Sequence, residues 1–290
     1  MKITALMLGR DEDWIASASI RCALEFCDEV FVLAHQCTDR TVEIARSFGK
    51  SVVVEESDEP EFREMKLRHL MLERARMRGA THIALLDFDE IITGNRLNQM
   101  RGFAEELAPG HVLGLPMVAI WRDLNKYRVD PGCVFTKNSV PVLFADHPSL
   151  DWRPRVDGYE LHSRMPSHSR KLFVPYTGPE QGGVFHLQWL VWSRLVTKQM
   201  WYRLRERSFY GQRDTAEAIN ARYADSVNEV GAKFADVPSA WWAPYKEWLG
   251  RIDTTSPRWH DAEANRMYRE LGADGVRGLD LAGWKPKETL

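Results

Sequence analysis

Short apolar runs alternate with amphipathic stretches along the first part of the chain. Three apolar runs, at 3–8, 29–33 and 51–54, have the length and composition of buried strands. Between them, apolar residues recur every three or four positions, which is typical of one face of a helix. This order predicts a β-α-β-α-β arrangement, and therefore a parallel sheet with helices on both faces.

A longer helix and a fourth strand continue this pattern. The helix is predicted over 62–78, and the strand at 82–86 leads directly into Asp87-Phe88-Asp89. In parallel α/β sheets, ligands bind at the carboxyl ends of the strands. The two aspartates are therefore predicted to lie at a ligand site.

The pattern changes near residue 111. Strand-like segments separated by loops follow at 112–120, 140–145, 171–174 and 183–189. Helical periodicity returns at 193–210 and continues through the tail. We therefore predict an α/β fold with a helical carboxyl-terminal region packed on it.

Composition and charge exclude several classes of protein. With 39 Lys and Arg against 41 Asp and Glu, the net charge of −2 gives no overall attraction to nucleic acid or to an anionic membrane. No apolar stretch approaches the roughly 18 residues of a spanning helix, so we expect no integral membrane span, while peripheral membrane contact stays open. Charged residues directly after the first apolar run argue against a signal peptide, and the four cysteines contain no C-x-x-C pair. These features predict a cytoplasmic protein.

Asp87 and Asp89 are the residues most suited to chemistry. Two carboxylates one residue apart at a strand end can supply oxygen ligands to Mg²⁺ or Mn²⁺, which can bind phosphate oxygens at the same time. The alternative is a pair of solvated acids that begins the next turn.

Three segments, at 2–12, 28–41 and 80–90, resemble the family 2 glycosyltransferases of the GT-A fold in order and spacing. They comprise a strand with the turn Arg10-Asp11-Glu12, a strand with the turn Cys37-Thr38-Asp39-Arg40-Thr41, and a strand that ends in D-x-D. The resemblance implies a Rossmann-like, mostly parallel sheet. It also implies a metal-dependent, inverting enzyme that transfers a sugar from a nucleotide-sugar donor to an acceptor hydroxyl, most often on a saccharide.

The resemblance also implies a division of the chain. Residues 1–190 would form the GT-A catalytic domain, with a nucleotide-binding half at about 1–95 and an acceptor half at about 96–190. Residues 191–290 would form the helical extension.

Site residues are carried over position by position. Asp89 would bind Mn²⁺ or Mg²⁺, Asp87 would approach the metal or the donor ribose, and His186 would be a third metal ligand unless it is a core histidine. The expected donor-binding residues are Gly9, Arg10, Glu12, His35, Asp39, Asp87, Lys171, Arg194 and Lys198.

One departure from the family concerns the donor nucleotide. Relatives that use uridine donors usually carry an acid after the second strand, and this chain has Ala34-His35 there, with Asp39 farther along the turn. The departure argues against a UDP-sugar donor. It also keeps open a non-catalytic protein that binds nucleotide or carbohydrate.

An inverting transfer needs a base that takes the proton of the acceptor hydroxyl. Our candidates, in order, are Asp157, Glu160 and Asp151, which lie in a turn-rich stretch. Basic residues outnumber acidic ones between 153 and 213. This excess keeps a nucleic-acid acceptor open as an alternative to a saccharide, with Arg194, Lys198, Arg203 and Arg205 as its groove.

Two further patterns have more than one interpretation. Trp241, Trp242, Tyr245 and Trp248 share one helix face, which is most often core but could stack on a sugar or lie at a membrane surface. A nucleotidyltransferase would share the predicted sheet. Its first strand would usually be followed by a glycine-rich basic loop, whereas this chain has acidic residues there.

Overall fold

The computed structural model describes residues 1–131, 133–152, 164–211, 214–253, 255 and 259–286, apart from the side chain at position 134. The strands in these ranges are β1 (Ile3–Gly9), β2 (Glu29–His35), β3 (Val52–Ser57), β4 (His82–Leu85), β5 (Glu90–Ile92), β6 (His111–Ala119), β7 (Lys126–Arg128), β8 (Ser139–Ala145), β9 (Lys171–Phe173), β10 (Val184–His186) and β11 (Phe234–Asp236). The helices are α1 (Ala16–Leu24), α2 (Thr41–Ser47), α3 (Glu64–Met77), α4 (Gly94–Leu97), α5 (Met100–Glu106), α6 (Val134–Lys137), α7 (Trp192–Tyr210), α8 (Ala216–Ala224), α9 (Ser239–Trp242), α10 (Lys246–Leu249) and α11 (Trp259–Gly275).

One large sheet has the strand order β3-β2-β1-β4-β8-β6-β10-β5, with β9 paired beside β6. Strands β1 to β4 pair in parallel, whereas β8 runs antiparallel to β4 and β6, and β5 runs antiparallel to β10. The predicted α/β class with a mostly parallel sheet is confirmed. The carboxyl end of β4 is followed by the D-x-D residues, as the sequence predicts.

Helices cover both faces of the sheet, because alternate residues of a strand point to opposite sides. On β1, Ile3, Ala5 and Met7 belong to the core that includes α1 and α5, whereas Leu6 and Leu8 belong to the core under α3. This arrangement is the one predicted from the alternating pattern.

The carboxyl-terminal helices pack in two separate groups. Helices α7 and α11 share a small core of their own, which contains Met200, Leu204 and Met267. Farther along the sheet, Trp242 stacks on Phe185 of β10, with ring centroids 3.8 Å apart.

The aromatic stripe of 241–248 is therefore mainly a core feature. Trp241, Trp242 and Tyr245 are all buried, and the Tyr245 hydroxyl donates a 2.8 Å hydrogen bond to the carbonyl of Ile92. Of the three interpretations of this stripe, the structure supports packing in the core.

Within the described residues, no helix combines the length and apolar character needed to cross a membrane. The four cysteines are free thiols, and Cys22, Cys27 and Cys133 are buried.

Candidate functional site

The D-x-D residues lie in the connection between β4 and β5, against the end of β1. Phe88 is buried, and it packs so close to Gly9 that a Cβ on this glycine would lie 2.5 Å from the Phe88 ring. Asp87 and Asp89 flank this buried ring. Their positions therefore depend on the contact between Phe88 and β1.

Asp87 is oriented by a buried arginine from α3. The Arg68 side chain is 2% exposed and donates from Nη2 to Asp87 Oδ1 at 2.7 Å and from Nε to Glu64 Oε1 at 2.8 Å. Burial acts to lower the pKa of Arg68, but the charges of Asp87 and Glu64 hold it above its usual value. The guanidinium is therefore a permanent cation that holds one carboxylate oxygen of Asp87.

Asp89 contacts two residues that are distant in the sequence. Its Oδ2 lies 3.3 Å from Lys198 Nζ on α7 and 3.5 Å from His186 Nε2 on β10. Burial acts to raise the pKa of Asp89, but the charges of Lys198 and His186 hold it below its usual range. The carboxylate is thus ionised in the site.

Strand pairing explains how His186 reaches Asp89. β5 and β10 are antiparallel neighbours, and His186 is the partner of Glu90, which follows Asp89 directly. His186 is far from the D-x-D in the sequence, and the pairing of β10 with β5 brings the two together.

The donor groups at this site suit a divalent ion. Asp89 supplies an oxygen and His186 an imidazole nitrogen within 3.5 Å of each other, and this combination is suitable for Mn²⁺. Asp87 would orient a water ligand of the ion or the donor ribose, while Arg68 donates a hydrogen bond to one of its carboxylate oxygens.

Elsewhere in the described ranges, Asp11, Cys37 and Asp39 also bring three potential metal-ligand atoms within mutual reach. Their carboxylates are already occupied by backbone groups. Asp11 accepts hydrogen bonds from the N–H groups of Thr38 and Asp39, and Asp39 accepts from those of Asp13 and Thr41. We therefore interpret these residues as stabilising the turn after β2 through hydrogen bonds to its backbone.

A small pocket, with a cavity volume of about 70 Å³, opens between the end of β1, the D-x-D and the helices α7 and α11. Its wall combines charged side chains with the aromatic rings of Phe62, Trp201, Tyr202 and Trp259. We refer to this space as the donor pocket, after the role proposed for it below.

Glu12, which lines this pocket, is held in its neutral form near pH 7. Trp14 Nε1 donates to Glu12 Oε2 at 2.6 Å, and burial followed by the charge of Asp89 raises the pKa of Glu12 to about 8. A neutral carboxyl beside an ionised Asp89 avoids placing two adjacent negative charges in the pocket.

A second, larger space also borders Asp89 and has a cavity volume of about 530 Å³. It shares Asp87, Asp89, Lys198 and Tyr202 with the donor pocket. Its remaining wall combines the charged side chains of Glu90, Arg164 and Arg222 with apolar side chains, amides and hydroxyls, among them Met117, Phe135, Val140, Asn138, Ser139, Gln188 and Gln199. We refer to this space as the acceptor cavity, after the role proposed for it below.

The structure brings together several of the residues that the sequence singled out. Gly9, Arg10, Glu12, Asp87, Asp89 and Lys198 all line the donor pocket. His186 lines the acceptor cavity, and Arg194 lines a neighbouring groove that it shares with Glu12 and Lys198.

Four predicted site residues lie elsewhere. His35 is buried under Phe62, with Nε2 2.8 Å from the carbonyl of Glu59, and Asp39 is held by the turn described above. Lys171 is exposed on β9, which pairs with the start of β6 and so lies at the opposite end of the sheet from Asp89. Asp151 follows β8 and lines a separate surface pocket beside α3.

The other two candidates for the base, Asp157 and Glu160, lie outside the described residues. Arg203 cannot be part of the predicted nucleic-acid groove, because its side chain is fully buried and donates to the carbonyl of Gln199. Arg205 is half-buried and donates to the carbonyl of Phe62. These two arginines do not form a solvent-facing basic surface.

Sequence reasoning missed several residues of the site. Arg68 could have been found from the sequence pattern. It occupies a position on the buried face of α3, next to Leu67 and near Met71, and a buried charge requires a partner. The sequence contains no comparable indication for Trp259 and His260, since only the packing of α11 on α7 brings them to the donor pocket.

Comparisons with known proteins give distant likenesses. No family model matches the sequence, and no curated protein matches it. TarS 1–349 of S. aureus in complex with UDP-GlcNAc is similar over 97% of this chain and 89% of that one, at 13% identity and a TM-score of 0.42. Glucosyl-3-phosphoglycerate synthase of Mycobacterium tuberculosis, in a complex with Mn²⁺, UDP and glucosyl-3-phosphoglycerate, is similar over 41% and 44%, at 17% identity and 0.28.

A nucleotidyl transferase from Methanothermobacter is similar over 50% of this chain and 71% of that one, at 16% identity and a TM-score of 0.31. At these TM-scores the likenesses assign no function. The functional argument therefore rests on the residues of this chain.

Proposed function

We propose that this chain is a GT-A glycosyltransferase that transfers a sugar from a nucleotide-sugar donor to a hydroxyl group of a saccharide acceptor. The reaction is metal-dependent and inverts the configuration of the sugar. The donor occupies the donor pocket, and the acceptor occupies the acceptor cavity.

The observation that carries this proposal is the meeting of the two spaces at Asp89 and Lys198. A group transfer requires the donor and the acceptor to approach each other with the bond to be broken at their boundary. Here that boundary is formed by an ionised carboxylate, an imidazole and an ammonium group. These are groups that can bind a metal and a diphosphate.

Asp89 and His186 would hold the divalent ion, and Asp87 would orient the ribose or a water ligand while Arg68 fixes its carboxylate. When bound, the ion supplies Lewis-acid stabilisation of the charge that develops on the departing nucleoside diphosphate. Lys198 and Arg194 lie beside this position and add positive charge for the same phosphates.

The acceptor cavity suits a polar molecule with apolar ring faces. Phe135 and Tyr202 offer aromatic surfaces, and Asn138, Ser139 and Gln188 offer hydrogen-bonding groups. A saccharide presents both kinds of surface. For the base that accepts the hydroxyl proton, Asp157 is our first candidate and Glu160 the second, on the strength of the sequence.

The proposal is tested by incubating the purified protein with UDP-, GDP-, dTDP- and ADP-sugars, with Mn²⁺ or with EDTA. The measurement is release of the nucleoside diphosphate, first without an acceptor and then with a panel of saccharides. We expect release from one donor class, dependent on the metal and faster with an acceptor. Asp89→Ala should abolish release, whereas Asp58→Ala at an exposed position should leave it unchanged.

Absence of release from every donor, by a protein that is folded and supplied with metal, would contradict a glycosyltransferase.

A second measurement addresses the base. Asp157→Asn should lower kcat strongly and leave donor binding intact, because the amide is nearly isosteric with the carboxylate. An unchanged kcat would remove Asp157 from this role.

A further inference from the structure

The wall of the donor pocket combines two kinds of chemistry. Glu12, Asp87, Asp89 and Lys198 line the pocket together with the rings of Phe62 and Trp259. A nucleoside diphosphate presents both kinds, because its phosphates are charged and its base is a flat aromatic ring.

The carboxyl-terminal helix contributes one of these aromatic rings. Trp259 is the first residue of α11, and its ring lies 5.0 Å from that of Trp201 on α7 and 5.9 Å from that of Phe62. The shared core of α7 and α11 holds this helix in place. The Arg10 and Glu263 side chains, 3.7 Å apart, also connect α11 to the end of β1.

The indole ring of Trp259 already carries a planar group. The Arg10 guanidinium lies over the ring, 4.7 Å from its centroid. A nucleobase is planar and can occupy the same kind of position by stacking. Such an exchange would free the Arg10 cation, which lines the same pocket, for the diphosphate.

The residues that follow β2 are engaged in other contacts. His35 is buried with its Nε2 on the carbonyl of Glu59, and the Asp39 carboxylate accepts two backbone hydrogen bonds. Neither side chain lines the donor pocket. Recognition of the base must therefore come from other parts of the pocket wall.

From these contacts we infer that α11 is part of the donor site and that Trp259 binds the nucleobase of the donor by stacking. The inference rests on the proposed function, because it assumes a nucleotide in the donor pocket. Stacking accepts any nucleobase, so the carboxyl-terminal helix would supply affinity and hydrogen bonds from other groups would supply the choice of base.

The test uses isothermal titration of UDP, GDP, ADP and inorganic pyrophosphate into the Mn²⁺-loaded protein. Trp259→Leu removes the aromatic face, and Trp259→Phe keeps one. Trp248→Leu is the matched control, because Trp248 also lies beside a phenylalanine ring and carries an arginine over its own ring, at 4.4 Å, but lines neither the donor pocket nor the acceptor cavity.

We expect Trp259→Leu to weaken nucleoside diphosphate binding about 10-fold or more, since base–aromatic stacking contributes on this scale. Pyrophosphate binding should stay unchanged, and Trp259→Phe should restore most of the lost affinity. Trp248→Leu should bind nucleotides as the wild type does.

Two results separate the failure of this inference from that of the proposed function. Equal affinity of wild type and Trp259→Leu for the nucleotide would overturn stacking on Trp259 and leave the proposed function standing. If the wild type binds none of the nucleotides, the proposed function is overturned together with the inference. Should Trp259→Leu not fold, nucleotide binding by the wild type that is no tighter than pyrophosphate binding would still overturn the inference.

Discussion

The α-carbon of Gly9 and the ring of Phe88 are in such close contact that no side chain fits between them. A Cβ built on Gly9 would lie 2.5 Å from one ring carbon of Phe88 and 2.7 Å from another. Since Asp87 and Asp89 flank Phe88, this contact between β1 and the D-x-D sets the position of both carboxylates.

Gly9→Ala should therefore destabilise the protein and impair the site. Overpacking of this kind costs about 1–3 kcal/mol, which thermal or urea unfolding can measure. Donor turnover should fall as well. The control is Gly102→Ala in α5, where an added Cβ meets no atom within 4 Å and alanine should be neutral or stabilising. Equal effects of the two substitutions would argue against the Gly9 contact.

Arg68→Met should be strongly destabilising, because it leaves the carboxylates of Asp87 and Glu64 without their buried cation. Removing one partner of a buried ion pair costs roughly 3 kcal/mol. Lys66→Met on the same helix removes the exposed pair with Glu59, 2.7 Å long, and should cost less than about 1 kcal/mol. Urea denaturation of both variants checks the difference. A cost for Arg68→Met as small as that for Lys66→Met would contradict the role assigned to Arg68.

Glu12 should make the protein less stable as the pH rises. Its pKa is about 8 in the folded protein and near 4.5 in the unfolded chain, so between these values the folded state holds a proton that the unfolded state has lost. The stabilising contribution is complete below about pH 4.5 and disappears as the pH rises through 8.

Glu12→Gln removes this dependence. The free energy of unfolding of the variant, relative to the wild type, should increase by up to about 1 kcal/mol per pH unit between pH 5 and 8. The comparison is made by urea denaturation in EDTA, with exposed Glu105→Gln as the control. A difference between wild type and Glu12→Gln that does not vary with pH would show that Glu12 is ionised throughout.

Trp242→Ala should cost about 3–5 kcal/mol, because it empties a buried position that stacks on Phe185. Trp248→Ala, in the same aromatic stripe but only partly buried, should cost clearly less. Chemical denaturation tests the pair. If both variants lost the same stability, Trp242 would not have the central packing role that its burial indicates.

The local pattern of the sequence predicts much of the fold and little of the site's assembly. The alternation of apolar runs and helical periodicity is a local signal, so β1 to β4 and the D-x-D follow from it. The short strand β5 does not, because its three residues lack a period and pair with β10, far along the chain. His186 and Lys198 therefore reach Asp89 through contacts that no local pattern records.

The errors have a similar origin. The charge count of the stretch between 153 and 213 contains no information about where each cation lies. Lys171 lies at the opposite end of the sheet, and Arg203 is buried, whereas Lys198 of the same stretch contacts Asp89. No local pattern marks Trp259, because its place depends on how α11 packs against α7.

The central claim is that Asp89, together with a divalent ion, binds the diphosphate of a nucleotide in the donor pocket. The most direct measurement is isothermal titration of the nucleoside diphosphates into wild type and Asp89→Asn, each with Mn²⁺ and with EDTA. The account predicts that at least one nucleotide binds the wild type with Mn²⁺, and that this binding is lost or much weakened in EDTA and in Asp89→Asn. Nucleotide binding of equal strength in all four titrations would contradict it.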